Sequence, residues 1–275
     1  MTISAIGPAA IPALGFGTFK LKGDDATDMV DAALSEGFRH IDTAQAYDNE
    51  AAVGKGIARS DVPRDQIFLT TKILPENFAP QTFVRKLEES LSDLGTDYVD
   101  LLLLHWPSKE VPLADTLGAM NGLIADGKVR HGGVSNFNIQ MLEETRKALG
   151  SPLAANQVEV HPFIDQTRLM EHMVANGIPF EAYSPLAQGN VLGNPALQEI
   201  ADAHGVSEAQ VTLAWILAHP NGIAIPKTAN PERLRQNLAA AEIKLSREDI
   251  ARIDALRRPD GRIVEPKGLA PVWDD

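Results

Sequence analysis

The chain has 275 residues, a formal net charge of −12 and no cysteine. Without cysteine it has no disulfides, thiolate metal sites or cysteine nucleophile, which suits a reducing cytoplasm, and its acidity argues against nucleic acid or an anionic membrane surface as the main partner. No apolar run reaches the roughly 18 residues of a membrane helix, and no signal peptide is recognised, so we expect a cytoplasmic protein with a small-molecule partner.

The N-terminal part of the chain predicts a hairpin followed by a first strand. Residues 1–12 are small, apolar and rich in proline, which is typical of a short hairpin lying on the body of a protein. Residues 14–19 form the first predicted strand, in which Gly15 and Gly17 permit close backbone approach. A dinucleotide-binding fingerprint is excluded here, because no further glycine follows at the required position.

After this strand, apolar residues at helical spacing alternate with short apolar runs. The clearest helix carries a stripe of apolar residues closed by Gly95, and another opens with Ser207 and Gln210 at capping-box spacing. Helices are predicted near 29–37, 48–57, 84–94, 114–125, 138–148, 166–176, 196–203 and 208–218, and strands near 14–18, 40–41, 67–71, 99–104, 129–135, 154–160, 178–183 and 222–226.

This alternation predicts the fold class. Apolar strands separated by helices indicate a parallel sheet covered on its outer face, and eight such units favour an α/β fold, a (β/α)8 TIM barrel. A doubly wound open sheet is the alternative. No linker or low-complexity tract is visible, so we predict one domain over residues 1–275, with residues 258–275 as an irregular tail that wraps over one barrel end.

Four polar residues stand where predicted strands end. Asp42 follows the segment at His40, Lys72 follows residues 67–71, His105 follows residues 99–104, and Tyr47 lies five residues after Asp42. In a barrel these ends converge on one mouth. We expect Lys72 to lie between Asp42 and Tyr47 and to lower the pKa of the phenol, while His105 orients a carbonyl oxygen that Tyr47 protonates.

Each of these residues by itself is more often a structural polar group, and Asp42 could simply cap the following helix. Four of them at the same end of consecutive elements favour a functional site.

Several motifs in order, over nearly the whole chain, resemble the aldo-keto reductase family, and in particular bacterial members similar to 2,5-diketo-gluconate reductases. The resemblance implies an NADPH-dependent carbonyl reductase that needs no metal, with Tyr47 as general acid/base, Asp42 and Lys72 tuning it, and His105 orienting the substrate. The motifs are Gly15-Phe16-Gly17-Thr18, His40-Ile41-Asp42-Thr43-Ala44 with Tyr47, Thr70-Thr71-Lys72, His105-Trp106-Pro107, Gly133-Val134-Ser135-Asn136-Phe137, Asn156-Gln157, Tyr183-Ser184-Pro185-Leu186 and Ile225-Pro226-Lys227-Thr228.

The resemblance also implies a set of cofactor-binding residues. Tyr183 matches the ring that stacks on nicotinamide, although by itself it would be an ordinary aromatic of the barrel wall. The other matches are Gly17 and Thr18 in the first motif, Ser135, Asn136 and Gln157 for the carboxamide, and Ser184 and Leu186 for the pyrophosphate.

A predicted helix start completes the cofactor site. Asn230 is a favourable N-cap and Pro231 a favourable first helical residue, and a helix N-terminus attracts anions. Without the resemblance, Arg233 would be a solvated helix charge. With it, the residues that we expect at the 2′-phosphate of NADP are Lys227, Thr228 and Arg233, with Asn237 near the adenine.

The expected substrate pocket departs from the family pattern. Leu74 replaces a frequent aromatic, Phe19 stands where tryptophan is common, Trp106 remains as the pocket aromatic, and Trp273 of the tail could close the mouth. The resemblance suggests small dicarbonyls and keto sugars as substrates and, by family habit, a monomer.

Two other classes of function stay open at this point. A nucleotide-binding sensor or accessory barrel would keep the cofactor site with little turnover. A metal-dependent barrel hydrolase would use ligands such as His40, Asp42, His105, His131 and His161, although no His-x-His pair ends a strand.

Overall fold

Eight parallel strands lie side by side in chain order in one sheet. The computed structural model describes residues 3–274, so the first two residues of the predicted hairpin lie outside the described part. The strands are β3 (Phe16–Gly17), β4 (His40–Asp42), β5 (Phe68–Ile73), β6 (Val99–Leu104), β7 (Val129–Ser135), β8 (Asn156–Glu159), β9 (Phe180–Tyr183) and β10 (Gly222–Ala224).

The two outer strands of this sheet meet, which closes it into a barrel. Leu14 forms a parallel bridge with Ala224, the amide of Gly15 donates to the carbonyl of Ala224 at 2.8 Å, and that of Gly17 donates to Pro226 at 3.1 Å. The predicted (β/α)8 barrel is therefore confirmed, and the open doubly wound sheet is wrong.

Helices follow the strands and cover the barrel, and their ends carry the signals that the sequence shows. Gly95 ends α3 (Pro80–Leu94) in the left-handed conformation with φ 64°, and the capping box of Ser207 and Gln210 opens α8 (Glu208–Ala218). One helix, α10 (Arg247–Asp254), was not predicted from the sequence, because its capping box pairs Ser246 with an aspartate in place of Glu or Gln. The helices are α1 (Gly23–Glu36), α2 (Glu50–Arg59), α3 (Pro80–Leu94), α4 (Leu113–Ala125), α5 (Ile139–Ala148), α6 (Thr167–Ala175), α7 (Pro195–His204), α8 (Glu208–Ala218), α9 (Pro231–Ala239) and α10 (Arg247–Asp254).

Apolar side chains fill both faces of the sheet. The larger cluster lies between the strands and the helices, and a smaller one inside the barrel joins Leu101, Leu103 and Ile223. The N-terminal hairpin, β1 (Ala5–Ile6) paired with β2 (Ile11–Pro12), adds Ile11 to the inner cluster. The hairpin thereby closes the end of the barrel at the amino ends of the strands, and the polar residues lie at the opposite mouth, at the carboxyl ends.

The C-terminal tail crosses that opposite mouth. The carboxylate of Glu159, at the end of β8, accepts hydrogen bonds from the amides of Ile263 at 2.7 Å and Val264 at 2.9 Å. Further on, the carboxylate of Asp274 accepts from the amide of Ile139 at 2.9 Å. The tail is thus fixed to the carboxyl ends of the strands, as predicted.

Within residues 3–274, none of the helices combines the length and the apolar character needed to cross a membrane.

Candidate active site

Three neighbouring strands and one turn bring the four predicted catalytic residues together. Asp42 ends β4, Lys72 lies in β5, and His105 directly follows β6. Tyr47 lies in a 3-10 turn after β4. The ammonium of Lys72 donates to Asp42 Oδ1 at 2.7 Å and to the Tyr47 hydroxyl at 3.2 Å.

Lys72 and Asp42 form a buried ion pair. Burial opposes the charge of Lys72, but Asp42 outweighs it with help from Tyr47, so the pKa of Lys72 is raised and the amine stays an ammonium. A third bond of Lys72, to the carbonyl of Thr43 at 2.8 Å, fixes its direction. The second oxygen of Asp42 accepts from Gln157 at 2.8 Å. Both carboxylate oxygens of Asp42 therefore bind side chains inside the barrel, and Asp42 does not cap the next helix.

The pKa of Tyr47 corrects one prediction from the sequence. Removal of the phenol from water raises its pKa above the usual value, and this effect exceeds the lowering by the Lys72 charge. The prediction of a net lowering was wrong, because burial at the barrel mouth is not visible in the sequence. Tyr47 consequently keeps its proton at neutral pH, and Lys72 stabilises the phenolate only once that proton leaves.

His105 is neutral in this environment. Burial, followed by the charge of Lys72, lowers its pKa to about 3. Its ring lies 5.9 Å from that of Tyr47, centroid to centroid, and its carbonyl accepts from the side chain of Asn136 at 3.1 Å. Its buried Nδ1 meets no hydrogen-bonding partner among the described residues. A neutral imidazole has one N–H to donate to a substrate oxygen.

The residues expected at the nicotinamide form one hydrogen-bonded group. Asn136 donates to Ser135 Oγ at 3.0 Å and accepts from the hydroxyl of Tyr183 at 2.8 Å. Ser135 in turn donates to the carbonyl of Gln157 at 2.8 Å. Asn136 and Ser184 have φ of 63° and 47°, so the backbone turns sharply where it leaves the strands. These residues meet beside the catalytic tetrad, the name used below for Asp42, Tyr47, Lys72 and His105, since Gln157 also contacts Asp42.

Gly17 and Thr18 line the same mouth. The amide and hydroxyl of Thr18 both donate to the carbonyl of Asp42 at 3.0 Å. A Cβ on Gly17 would lie 2.9 Å from the carbonyl oxygen of Ile225, so only glycine fits there.

The expected phosphate site has the predicted helix start. The side chain of Asn230 accepts from the amide of Glu232 at 2.9 Å, and Pro231 is the first residue of α9. Lys227 and Arg233 are exposed beside this start. Among the remaining members of the site, Thr228 and Asn237 are buried and Leu186 is half-buried.

Aromatic side chains surround the entrance to the tetrad. Phe19 is 52% exposed, and its ring lies 5.0 Å from that of Tyr47. Trp106 is buried, and its ring lies 6.4 Å from that of Trp273 in the tail. Leu74 is half-buried just after β5. The tail therefore adds an aromatic residue next to the predicted pocket aromatic.

Two buried acids near the mouth, Glu159 and Glu181, were not predicted from the sequence. Glu159 binds the tail, and Glu181 lies fully buried in β9. A signal was present, because Glu181 stands two residues before Tyr183 in an apolar strand, and alternate residues share a face. A lone acid on the inner face of a barrel is a candidate member of the site.

Among the described residues 3–274, no group of three histidine, aspartate or glutamate side chains is placed to hold a metal ion. His161, one of the ligands considered, instead contacts Glu159 through Nε2 at 2.9 Å. No geometry of the described part thus favours the metal-dependent hydrolase.

The fold and the residues at its mouth define a class of barrel oxidoreductase, and comparison with known proteins assigns the family. The sequence profile described as the Aldo/keto reductase family matches residues 13–258. The chain belongs to the aldo/keto reductase family, whose members include reductases of carbonyl compounds.

Individual relatives cover almost the whole chain. It is 42% identical over 268 residues to methylglyoxal reductase DkgB of Escherichia coli O157:H7, covering 96% of this chain and 100% of the relative. It is 41% identical over 260 residues to glyoxal reductase of Bacillus subtilis (strain 168), covering 94% of each. A crystal structure bearing the name 2,5-diketo-D-gluconic acid reductase B superimposes with a TM-score of 0.98 at 45% identity, covering 100% of this chain and 98% of the other.

Proposed function

We propose that this protein reduces small aldehydes and ketones with NADPH, and that Tyr47 supplies the proton. The observation that carries the proposal is the position of the Lys72 ammonium, which touches both Asp42 at 2.7 Å and the Tyr47 hydroxyl at 3.2 Å. This arrangement places a weak acid beside a permanent positive charge that stabilises its conjugate base.

The residues at the barrel mouth fit a nicotinamide cofactor. Asn136, Ser135 and Gln157 offer amide and hydroxyl groups suited to a carboxamide, and Tyr183 offers a ring face beside them. Lys227 and Arg233 at the start of α9 supply positive charge for a phosphate group in an otherwise acidic chain. When bound, NADPH supplies the hydride from C4 of its nicotinamide to the carbonyl carbon.

The side chains of the tetrad perform the rest of the reaction. Neutral His105 donates a hydrogen bond to the carbonyl oxygen and directs it toward Tyr47. Tyr47 then transfers its proton to that oxygen, so that hydride and proton together convert the carbonyl to an alcohol. Lys72 stabilises the phenolate that remains, Asp42 holds Lys72, and solvent later returns the proton.

The side chains around the barrel mouth favour small, activated carbonyl compounds as substrates. Phe19, Trp106 and Trp273 bring aromatic rings around the mouth, and Leu74 adds an aliphatic wall. Relatives of this chain carry the names methylglyoxal reductase and glyoxal reductase. We infer methylglyoxal, glyoxal and keto-sugar acids as the substrate class, and a cytoplasmic monomer as the working form.

The test is NADPH oxidation by the purified protein with methylglyoxal, followed by absorbance. We expect turnover by the parent, and in Tyr47→Phe a loss of about 100-fold or more, the range of general-acid catalysis, with NADPH binding unchanged. Equal rates in parent and variant would refute the assigned acid. A parent that binds NADPH but turns over none of the carbonyl compounds would favour the sensor barrel.

A further inference from the structure

A second carboxyl group lies inside the barrel below the tetrad. Glu181 in β9 has no exposed surface, and one of its oxygens lies 3.2 Å from Nε2 of His40, which is equally buried. Neither carboxyl oxygen accepts a hydrogen bond of good geometry, because the side-chain amide of Gln157 donates to Asp42 at 2.8 Å and makes only a weaker second contact with Glu181. A buried carboxylate without donors is costly, so the protonation state of this group needs an explanation.

The hydrogen bonds of His40 determine which partner carries the proton. Nδ1 of His40 lies 3.4 Å from the carbonyl oxygen of Pro12, which can only accept, so we assign the ring hydrogen to Nδ1. Burial lowers the pKa of His40 to about 4, so the ring is neutral and Nε2 is an acceptor. This nitrogen lies 3.2 Å from the hydroxyl of Thr70 as well as 3.2 Å from Glu181. An ionised Glu181 oxygen would then face a lone pair, whereas a protonated Glu181 can share Nε2 as an acceptor with the hydroxyl of Thr70.

The charges around Glu181 agree with this assignment. Lys72 and Asp42 already neutralise each other, so an ionised Glu181 would leave a net negative charge in a space closed to water. Burial, with the charge of Asp42, raises the pKa of Glu181 to about 8, and these two effects exceed the lowering by Gln157 and by the charge of Lys72. The groups that face it are His40 and Asp42 from β4, Lys72 from β5, Tyr47 from the turn after β4, the neutral Gln157 from β8 and the apolar Ile223 from β10.

We propose that Glu181 is a positioning residue that holds a proton against His40 below the tetrad, and that loss of this proton at alkaline pH weakens Tyr47 as an acid. Ionised Glu181 adds a negative charge that disfavours the phenolate, which raises the pKa of Tyr47. Because the charge of Lys72 lowers the pKa of Tyr47 and an ionised Glu181 raises it, Tyr47 stays protonated to a higher pH than it would beside Lys72 without Glu181. The kinetic part of this proposal rests on the proposed function, whereas the stored proton does not.

The kinetic test compares pH profiles of kcat in both directions, carbonyl reduction and alcohol oxidation. In Glu181→Gln the negative charge cannot form. We therefore expect the alkaline limb of reduction and the rising limb of oxidation both to move to lower pH, by about one unit for the loss of one negative charge inside the barrel. Glu181→Asp keeps a titrating carboxyl and should keep both limbs near their parental positions. Lower rates with unmoved limbs in Glu181→Gln would overturn the proposal, because that is the result of a purely structural role.

Glu50 provides a matched control. It is also a buried acid whose pKa is raised by burial, but its oxygens accept from Thr71 at 2.5 Å and Ser90 at 3.0 Å on the outer face of the sheet. Glu50→Gln should leave both limbs in place. A shift as large as that of Glu181→Gln would refute a specific role for Glu181.

The stored proton has a readout independent of activity. Carbon-13 NMR of the parent, labelled at its glutamate carboxyl carbons, should show one signal that titrates near pH 8. This signal should be lost in Glu181→Gln. If the glutamine variant does not fold, the signal should be lost in Glu181→Asp, because residue 181 is then no longer a labelled glutamate. Absence of such a signal would overturn the proposal. A parent without NADPH-dependent turnover would reject the proposed function and leave this NMR test intact.

Discussion

Removal of the ammonium beside the phenol tests the electrostatic basis of the proposed reaction most directly. In Lys72→Met, Tyr47 loses a unit charge 3.2 Å from its hydroxyl. At an effective dielectric constant of about 20, a charge at this distance stabilises a phenolate by about 5 kcal/mol, or about 4 pKa units. The ring is only partly buried, so solvent screening reduces the expected rise in the pKa of Tyr47 to about 2–3 units.

The assay is the pH dependence of alcohol oxidation with NADP, because this direction requires the phenolate. The limb assigned to Tyr47 should move to higher pH, and kcat at pH 8 should fall by about 100- to 1000-fold. The variant leaves Asp42 buried without its partner, which costs about 3–5 kcal/mol of stability, so circular dichroism and NADPH binding must first show a folded protein.

Lys22 offers a matched control for this variant. Its ammonium donates to the backbone carbonyl of Tyr47 at 2.5 Å, but its side chain is 58% exposed and the structure shows no bond from it to the phenol oxygen. Lys22→Met should leave the limb where it is in the parent. If Lys72→Met also left the limb unmoved, the ammonium would not be what makes Tyr47 an acid.

Three further predictions concern the cofactor and the fold. Arg233→Ala should weaken NADPH binding about 10-fold or more, the value of one charge-assisted hydrogen bond, with little change for NADH. The control is Arg235→Ala, which lies on the same helix as Arg233 but whose guanidinium binds Glu36 of α1 at 2.8 Å, and it should change neither affinity. Equal losses for both cofactors in Arg233→Ala would mean that Arg233 does not contact the 2′-phosphate. Gly15→Ala should lower the free energy of unfolding by about 1–3 kcal/mol, because the added Cβ would lie 2.6 Å from the ring of His40. An unchanged urea midpoint in this variant would contradict the predicted clash. We propose that the whole chain is one domain, so circular dichroism and tryptophan fluorescence should report one coincident urea transition. Separate transitions would contradict the single domain.

The alternation of helical and strand patterns was enough to predict the barrel. Most strands contain a short apolar run and most helices an apolar stripe, so the local pattern indicates both the element type and its buried face. The placement of Asp42, Lys72 and His105 at strand ends then followed, because the carboxyl ends of barrel strands meet at one mouth. The N-cap of Asn230 was visible for the same local reason.

Distances across the barrel and access of water were decided only by the tertiary structure. Burial raised the pKa of Tyr47, although its charged neighbour alone predicted a lowering. Glu181 meets His40 across the barrel, and Glu159 fixes the tail that carries Trp273 to the mouth. A sequence pattern indicates the side of a strand on which a residue lies. The free energy of a buried charge, however, depends on the exclusion of water and on partners far away in the chain, and both come into place only when the barrel closes.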